Sequence, residues 1–465
     1  MMKKLIITAL CAVMLIFPLT SCGEVSVSKM LKAPEKYADE NGFVVYEGQL
    51  LCYLGENSRV VIPEEVTSLY NNAFKGNTLL TEVVMHDNVT AVGSEAFMNC
   101  TSLKKIELPD GVISIGTRAF AGCTALTEVK LPEFLRNVSY GLFMNCSALE
   151  KINLPETIAY MDESIFNNCR SLKEITLPPM LTEISAYTFA GCSSLKKVEF
   201  PPELIRIKDY AFDNASSLTQ INIPESVNHI GAGAFAYCSN LENPKLPANL
   251  IYLGESAFFG CESITEITLP RNIDSLRKEV FSMCTSLEKV NFSDKIISIE
   301  QRAFAGCRRL KNVNLPIMLT KIGASAFENC GLTKIELGNF VVTVDKNAFR
   351  GCNDMKSIVL PESLTTLGQY ALSNCTSLES VVLPDNVTEL SAGLVNGCSS
   401  LSYFYIPLNV EKAGKAVFEN TPLLYYIDYA GTSEAWENVK KADEFMSDYA
   451  TNTKRINYRG LTAEI

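Results

Sequence analysis

The sequence predicts an α/β repeat solenoid, an array of short parallel strands joined by short helical turns. Three regularities carry that prediction. A phenylalanine recurs every 23 residues, from Phe74, Phe97, Phe120 and Phe143 through to Phe327, without a gap. A cysteine follows three residues later in most units, as at Cys100, Cys123, Cys146 and Cys169. Each unit also carries a strand-like apolar run closed by proline, as in Leu103 to Pro109. A period of roughly 20–50 residues marks a solenoid, because one unit cannot bury its apolar side without neighbours. The array covers residues 60–430, about 16 units.

Within one unit, Leu103, Ile106 and Leu108 have the spacing of a short strand entered from a turn. Lys105 and Glu107 alternate with the last two and therefore face outward. Pro109 ends the strand, since proline cannot donate to a ladder but is tolerated at a strand's end. A second extended stretch, Val112 to Ile115, leads to Gly116, and a helical turn or two is expected from Ala119-Phe120 to Gly122. The residue before the cysteine position is Gly or Asn in 14 of 16 units, which calls for a left-handed backbone there. The buried columns are then Leu, Ile, Leu, Leu, Ile, Ala, Phe and Cys. Parallel strands stacked at about 4.8 Å would make the array roughly 75–80 Å long.

With these eight columns in place, the unit resembles the BspA-like bacterial leucine-rich repeat, and the resemblance covers about four-fifths of the chain. It implies a right-handed, curved solenoid on a secreted or surface protein, often an adhesin or binding protein. It carries no ligand with it, because family members differ widely in partner. Departures are few: Asn77, Ala215 and Thr421 replace cysteine, Leu372 and Val395 replace phenylalanine, and one residue is missing between Cys330 and Leu332.

Upstream of the array, Lys3 and Lys4 precede a mostly apolar stretch from Leu5 to Leu19. That stretch is short for a membrane span and fits a secretory signal, residues 1–21. Leu19-Thr20-Ser21-Cys22 resembles a bacterial lipobox, which would make Cys22 the lipidated first residue of the mature chain. The alternative is an ordinary signal peptide with a chance cysteine. Gly23 lacks the aspartate that the resemblance links to inner-membrane retention, so an outer-membrane or cell-surface location is expected. Residues 22–42 read as a flexible lipidated tether and 43–59 as an N-terminal cap. At the other end, 431–465 read as a C-terminal cap: Thr432 or Ser433 offers a helix N-cap, and Trp436, Val439 and Phe445 are spaced to cover one side.

The composition narrows the function. A net charge of −11, from 41 basic and 52 acidic residues, argues against nucleic acid or an anionic membrane surface as partner. Sixteen cysteines in an exported chain suggest disulfides, but thirteen occupy one repeat column. There they would lie side by side about 4.8 Å apart, too wide for the usual disulfide Cβ separation, and Ala215 shares the column. Free buried thiols acting as small apolar filler are expected. No metal site is expected, for want of Cys-x-x-Cys or paired histidines. His86 and His229 are the two histidines, neither with a nucleophile held near it, so no catalytic residue and no cofactor is assigned. A hydrolase remains a distant alternative.

The outward columns point to where a partner could sit. One runs Glu82, Lys105, Glu128, Lys151, Glu174, Lys197, alternating in sign and pairing with itself. From Ser357 onward the outward positions become Tyr-, Val- and Ser-rich. Tyr403, Tyr405 and Tyr426, flanked by Val359 and Val382, form a candidate concave contact site; the other reading packs them beneath the C-terminal cap. The expected function is a lipid-anchored surface binding protein or adhesin for a host or bacterial protein, or a glycan. A periplasm-facing scaffold in an envelope complex is the alternative.

Overall fold

The computed structural model describes residues 26–446 and 454–460. Each unit bends through three sides. In most units the first holds a strand of three residues, such as Lys105–Glu107, and the second a strand of two, such as Ser114–Ile115. Both join parallel sheets one full repeat apart: Glu82 pairs with Lys105 and Lys105 with Glu128, while Ala91 pairs with Ser114. The third side holds the turn from Thr117 to Gly122.

The expected helical turns do not form. Short helices lie outside the array, and the turn side is bonded between repeats instead. Phe97 donates its N–H to the Ala119 carbonyl at 2.8 Å, and Asn99 donates to Ala121 at 2.8 Å. Two left-handed residues per unit direct the backbone this way. Gly122 (φ 74°) and Asn99 (φ 61°) occupy the expected Gly/Asn column. A second left-handed column, four residues earlier, holds Glu95 (φ 55°), Arg118 (φ 55°) and their equivalents. A left-handed residue every four positions is incompatible with an α-helix, whose residues all need negative φ. Alternate N–H groups therefore point along the solenoid axis, and those between them close short turns within the unit, as Ala121 N does on the Arg118 carbonyl at 3.0 Å.

All eight predicted columns are interior. Leu103, Ile106, Leu108, Val112, Ile115, Ala119, Phe120 and Cys123 are buried, and one continuous core extends from Phe43 to Phe445. The phenylalanines form a stack through it, with centroids 5.0 Å apart at Phe74–Phe97 and 5.8 Å at Phe143–Phe166, rings nearly parallel. All described cysteines are free. They do more than fill space: Cys123 donates its thiol to the Phe97 carbonyl at 3.1 Å, and the other column cysteines repeat that bond. Phe97 O thus accepts from both Cys100 N and Cys123 Sγ.

At the N-terminal end, strand β1 (Phe43–Tyr46) pairs antiparallel with β2 (Gln49–Tyr53), which joins the second-side sheet. Residues 26–42, expected as part of a flexible tether, carry a helix, α1 (Val27–Lys32), capped by Ser26. Met30 buries against Val44 and Leu51 on the outside of the hairpin, a surface the array core leaves uncovered. At the C-terminal end a second helix, α2 (Ser433–Glu437), is capped by the Thr432 hydroxyl, which accepts from Ala435 N at 3.2 Å. Trp436, Val439 and Phe445 are buried, with Phe445 edge-on to Phe418. Arg455–Tyr458 then adds one further parallel strand beside Tyr426–Tyr429. Residues 1–25, including Cys22 and the signal segment, lie outside the described residues.

Candidate functional site

The first-side sheet is continuous from Lys334–Glu336 to Arg455–Tyr458, and it brings the five candidate contact residues onto one face. Ser380 pairs with Tyr403, and the pairing of Phe404 with Ile427 sets Tyr403 beside Tyr426. In the neighbouring outward column Glu336 pairs with Val359, and Val382 pairs with Tyr405. Val359, Val382 and Tyr426 are each 54% exposed, whereas Tyr403 and Tyr405 are half-buried. Trp436 packs inside, against Tyr429 at 5.0 Å, while Arg455 of the same C-terminal segment pairs beside Tyr426.

This patch has a polar centre that sequence reasoning missed. Asp428 follows Tyr405 in the outward column and is buried. It accepts a hydrogen bond from Asn457 Nδ2 at 3.2 Å and forms an ion pair with Arg459. Arg459 Nη2 also donates to the Tyr403 hydroxyl at 3.4 Å. Burial pushes the Tyr403 hydroxyl above its ordinary range, and the hydrogen bond to Asp428 does the same for Arg459. A buried carboxylate needs such partners, since an unpaired one would cost several kcal/mol or more. The only sequence signal was Asp428 itself, an acid amid tyrosines.

A second feature of the same side is a groove of about 820 Å³ around Pro244. Proline stands there in the column that holds Ile106, Val129, Ile221 and Ile267 elsewhere. The strand is interrupted here, as it also is around Ile152 and Val313, and Asn243 supplies a side-chain acceptor beside the proline that has no N–H to give: its Oδ1 accepts from Thr265 N and Glu266 N at 2.9 Å each. The groove floor is Leu246, Leu269, Pro270 and Phe292, rimmed by Glu266, Arg271 and Asp294. Further toward the N-terminus the same face carries the alternating charges, with Arg59–Glu82 at 3.1 Å, Lys105–Glu128 at 3.5 Å and Lys151–Glu174 at 3.8 Å. Lys197 turns instead to Glu199, 2.6 Å away on its own strand. These pairs are exposed and screened by solvent, so they contribute little to stability.

The BspA type leucine rich repeat model matches residues 51–173, 90–219, 163–288, 205–333 and 320–439. The chain belongs to the BspA-type leucine-rich repeat family. A leucine-rich repeat protein from Bacteroides ovatus is 30% identical over 75% of this chain and 92% of that one, with a TM-score of 0.68. A leucine rich cell surface protein from Faecalibacterium prausnitzii is 23% identical over 87% of this chain and 97% of that one, with a TM-score of 0.40. A T. pallidum leucine rich repeat protein is 26% identical over 42% of this chain and 82% of that one, with a TM-score of 0.35. No curated protein matches the chain.

Both histidines serve the BspA-type framework. His86 replaces the strand-ending proline; its Nε2 lies 2.8 Å from the Pro63 carbonyl and its Nδ1 accepts from Asn88 N at 3.3 Å. Those two bonds place a donor at Nε2 and an acceptor at Nδ1. His229 lies flat on Tyr252, centroids 4.3 Å apart, with the Arg277 guanidinium 4.5 Å from the same ring. Burial first, then Arg206 and Arg277, hold its pKa below the usual histidine range. Neither arrangement presents a nucleophile–base pair. Among the described residues no group of three or more His, Cys, Asp or Glu is placed to hold a metal ion.

Proposed function

We propose that this BspA-type protein is an exported, lipid-anchored binding protein that recognises a protein or glycan at the cell surface. The contact region is the first-side sheet around Tyr403, Tyr405 and Tyr426. The observation that carries this reading is the change in the sheet's outer face. Its early units satisfy their charges internally, whereas the last units expose Val359, Val382 and Tyr426 on a rigid parallel sheet. Tyrosines bury large area at low entropic cost, and rigid strands hold them in place before the partner arrives. Asp428, Arg459 and Asn457 add fixed polar groups at the centre of the patch. No catalytic role is proposed.

Replacing Tyr403, Tyr405 and Tyr426 together with Ser is expected to weaken partner capture from host or envelope extracts about 100-fold or more, by the usual cost of losing clustered aromatic anchors. The circular dichroism spectrum should stay native, because Phe404, Ile406 and Ile427 of the same strands hold the interior. Undiminished capture by a folded variant would refute the assignment.

Anchoring rests on Leu19-Thr20-Ser21-Cys22 at the end of the apolar N-terminal stretch. Cys22→Ser should move the protein from the membrane to the soluble fraction. A variant that is processed normally and stays membrane-bound would place the anchor elsewhere. Protease treatment of intact cells separates a surface protein, which is cleaved, from a periplasm-facing scaffold, which is protected.

A further inference from the structure

The turn side of the solenoid carries an aromatic strip over the units from Ser185 to Gly260. Tyr187, Tyr210 and Tyr237 all hold left-handed backbone, with φ of 57°, 55° and 56°. For a bulky side chain that conformation is strained, which Gly or Asn in the same columns avoids. The Tyr187 and Tyr210 rings lie parallel, centroids 5.1 Å apart. The next residue in that column is Gly233, and a Cβ there would collide with the Tyr210 ring, so Tyr210 lies across it. Tyr237 in turn leans over Gly260 and meets Phe259 edge-on, centroids 5.1 Å apart.

The turn segment that carries Tyr237 presents small residues toward Tyr210, Ala232, Gly233 and Ala236. Tyr187, Tyr210 and Tyr237 remain 40%, 37% and 53% exposed. The charge along the strip has one sign. Glu163, Asp209, Asp213 and Glu255 belong to these turn segments or the one before them, and the only basic residue there is Lys208. Lys208 is already engaged, 2.7 Å from Glu183. Flat exposed rings beside unneutralised carboxylates match a cation, which rings attract by their faces and carboxylates by charge.

We propose that this strip docks a cationic segment of a partner polypeptide, whose arginine or lysine side chains lie on Tyr187, Tyr210 and Tyr237 while Asp209 and Asp213 neutralise them. The site is on a different side of the solenoid from Tyr403, Tyr405 and Tyr426, so it stands or falls independently of the first-side site.

The test is fluorescence anisotropy with a labelled (Gly-Arg)4 peptide and a (Gly-Glu)4 control, titrated with the lipid-free mature protein. Tyr187, Tyr210 and Tyr237 are replaced by Asn, which tolerates left-handed backbone and keeps the fold. The arginine peptide should bind, the glutamate peptide should not, and the triple Asn variant should lose at least tenfold in affinity. A paired Asp209→Asn, Asp213→Asn variant should lose about threefold. Its fold is kept, because the amide oxygen can still accept the bond that Asp209 Oδ1 takes from Ala232 N at 2.7 Å. The Tyr403, Tyr405, Tyr426 to Ser variant should bind as the parent does. Equal binding by the triple Asn variant, equal binding of both peptides, or loss of binding in the first-side variant would each overturn the proposal.

Discussion

Raising the pH above about 9 should unfold the array, and the buried thiols should set the steepness. Burial pushes Cys100, Cys146, Cys284 and Cys398 up to about 12, and lifts Cys123, Cys169, Cys192, Cys238, Cys261, Cys307, Cys352 and Cys375 well above the ordinary thiol value. In the unfolded chain each titrates near about 8.5. Because the folded value is the higher one, the contribution to stability is whole below about 8.5 and declines as the pH rises toward the folded value. Between those limits the unfolded state has lost a proton that the folded state keeps, so each thiol removes about 1.4 kcal/mol per pH unit. A solenoid can open in blocks of neighbouring units, and a block of four repeats would then lose roughly 5–6 kcal/mol per pH unit. Circular dichroism should show a sharp, cooperative transition between about pH 9 and 11. Replacing Cys146, Cys169 and Cys192 by Ala should raise its midpoint, even though the same changes weaken the protein slightly at neutral pH. A native spectrum persisting at pH 11 would sink this account.

The phenylalanine stack should give the largest effect of any single substitution. Phe166 is fully buried, between Phe143 at 5.8 Å and Phe189 at 5.6 Å. Phe166→Ala opens a cavity in a core whose backbone is tied to both neighbours, and should cost about 3–5 kcal/mol in urea denaturation. Cys169→Ala, three residues along, removes one sulfur and the thiol bond to the Phe143 carbonyl at 3.2 Å. About 1 kcal/mol is expected there, because Ala215 fills the same column without disturbing the core. If the two variants cost the same, the ring stack would not be the principal support of the array.

The helical reading of the turn, which the fold overturns, failed for one cause. A run such as Thr117-Arg118-Ala119-Phe120-Ala121-Gly122 has acceptable helix formers, so a helical turn is the natural local expectation. Local preference loses because every second N–H has a better-placed acceptor one repeat away, as Phe120 N does in the Leu142 carbonyl at 3.1 Å. Arg118 then adopts φ 55°, which nothing in its residue type announces. Its neighbour Gly122 was legible because Gly and Asn share that column for a stereochemical reason.

What the sequence determined by itself is whatever recurs. A residue repeated every 23 positions must meet its own copies, so the Leu, Ile, Phe and Cys columns, their burial and the self-paired charges follow from spacing alone. Only the tertiary structure decided the aperiodic contacts. Arg459 reaches Tyr403 across 56 residues of chain, and no period links them. The strand Arg455–Tyr458 extends the sheet although it follows a segment that breaks the repeat. Tyr187 and Tyr210 stack because their column happens to hold two aromatics in successive units, and the glycine after them leaves the second ring uncovered. The difference is physical: a repeat brings equivalent positions together whatever their neighbours, whereas a contact made once depends on the path of the whole chain between its two ends.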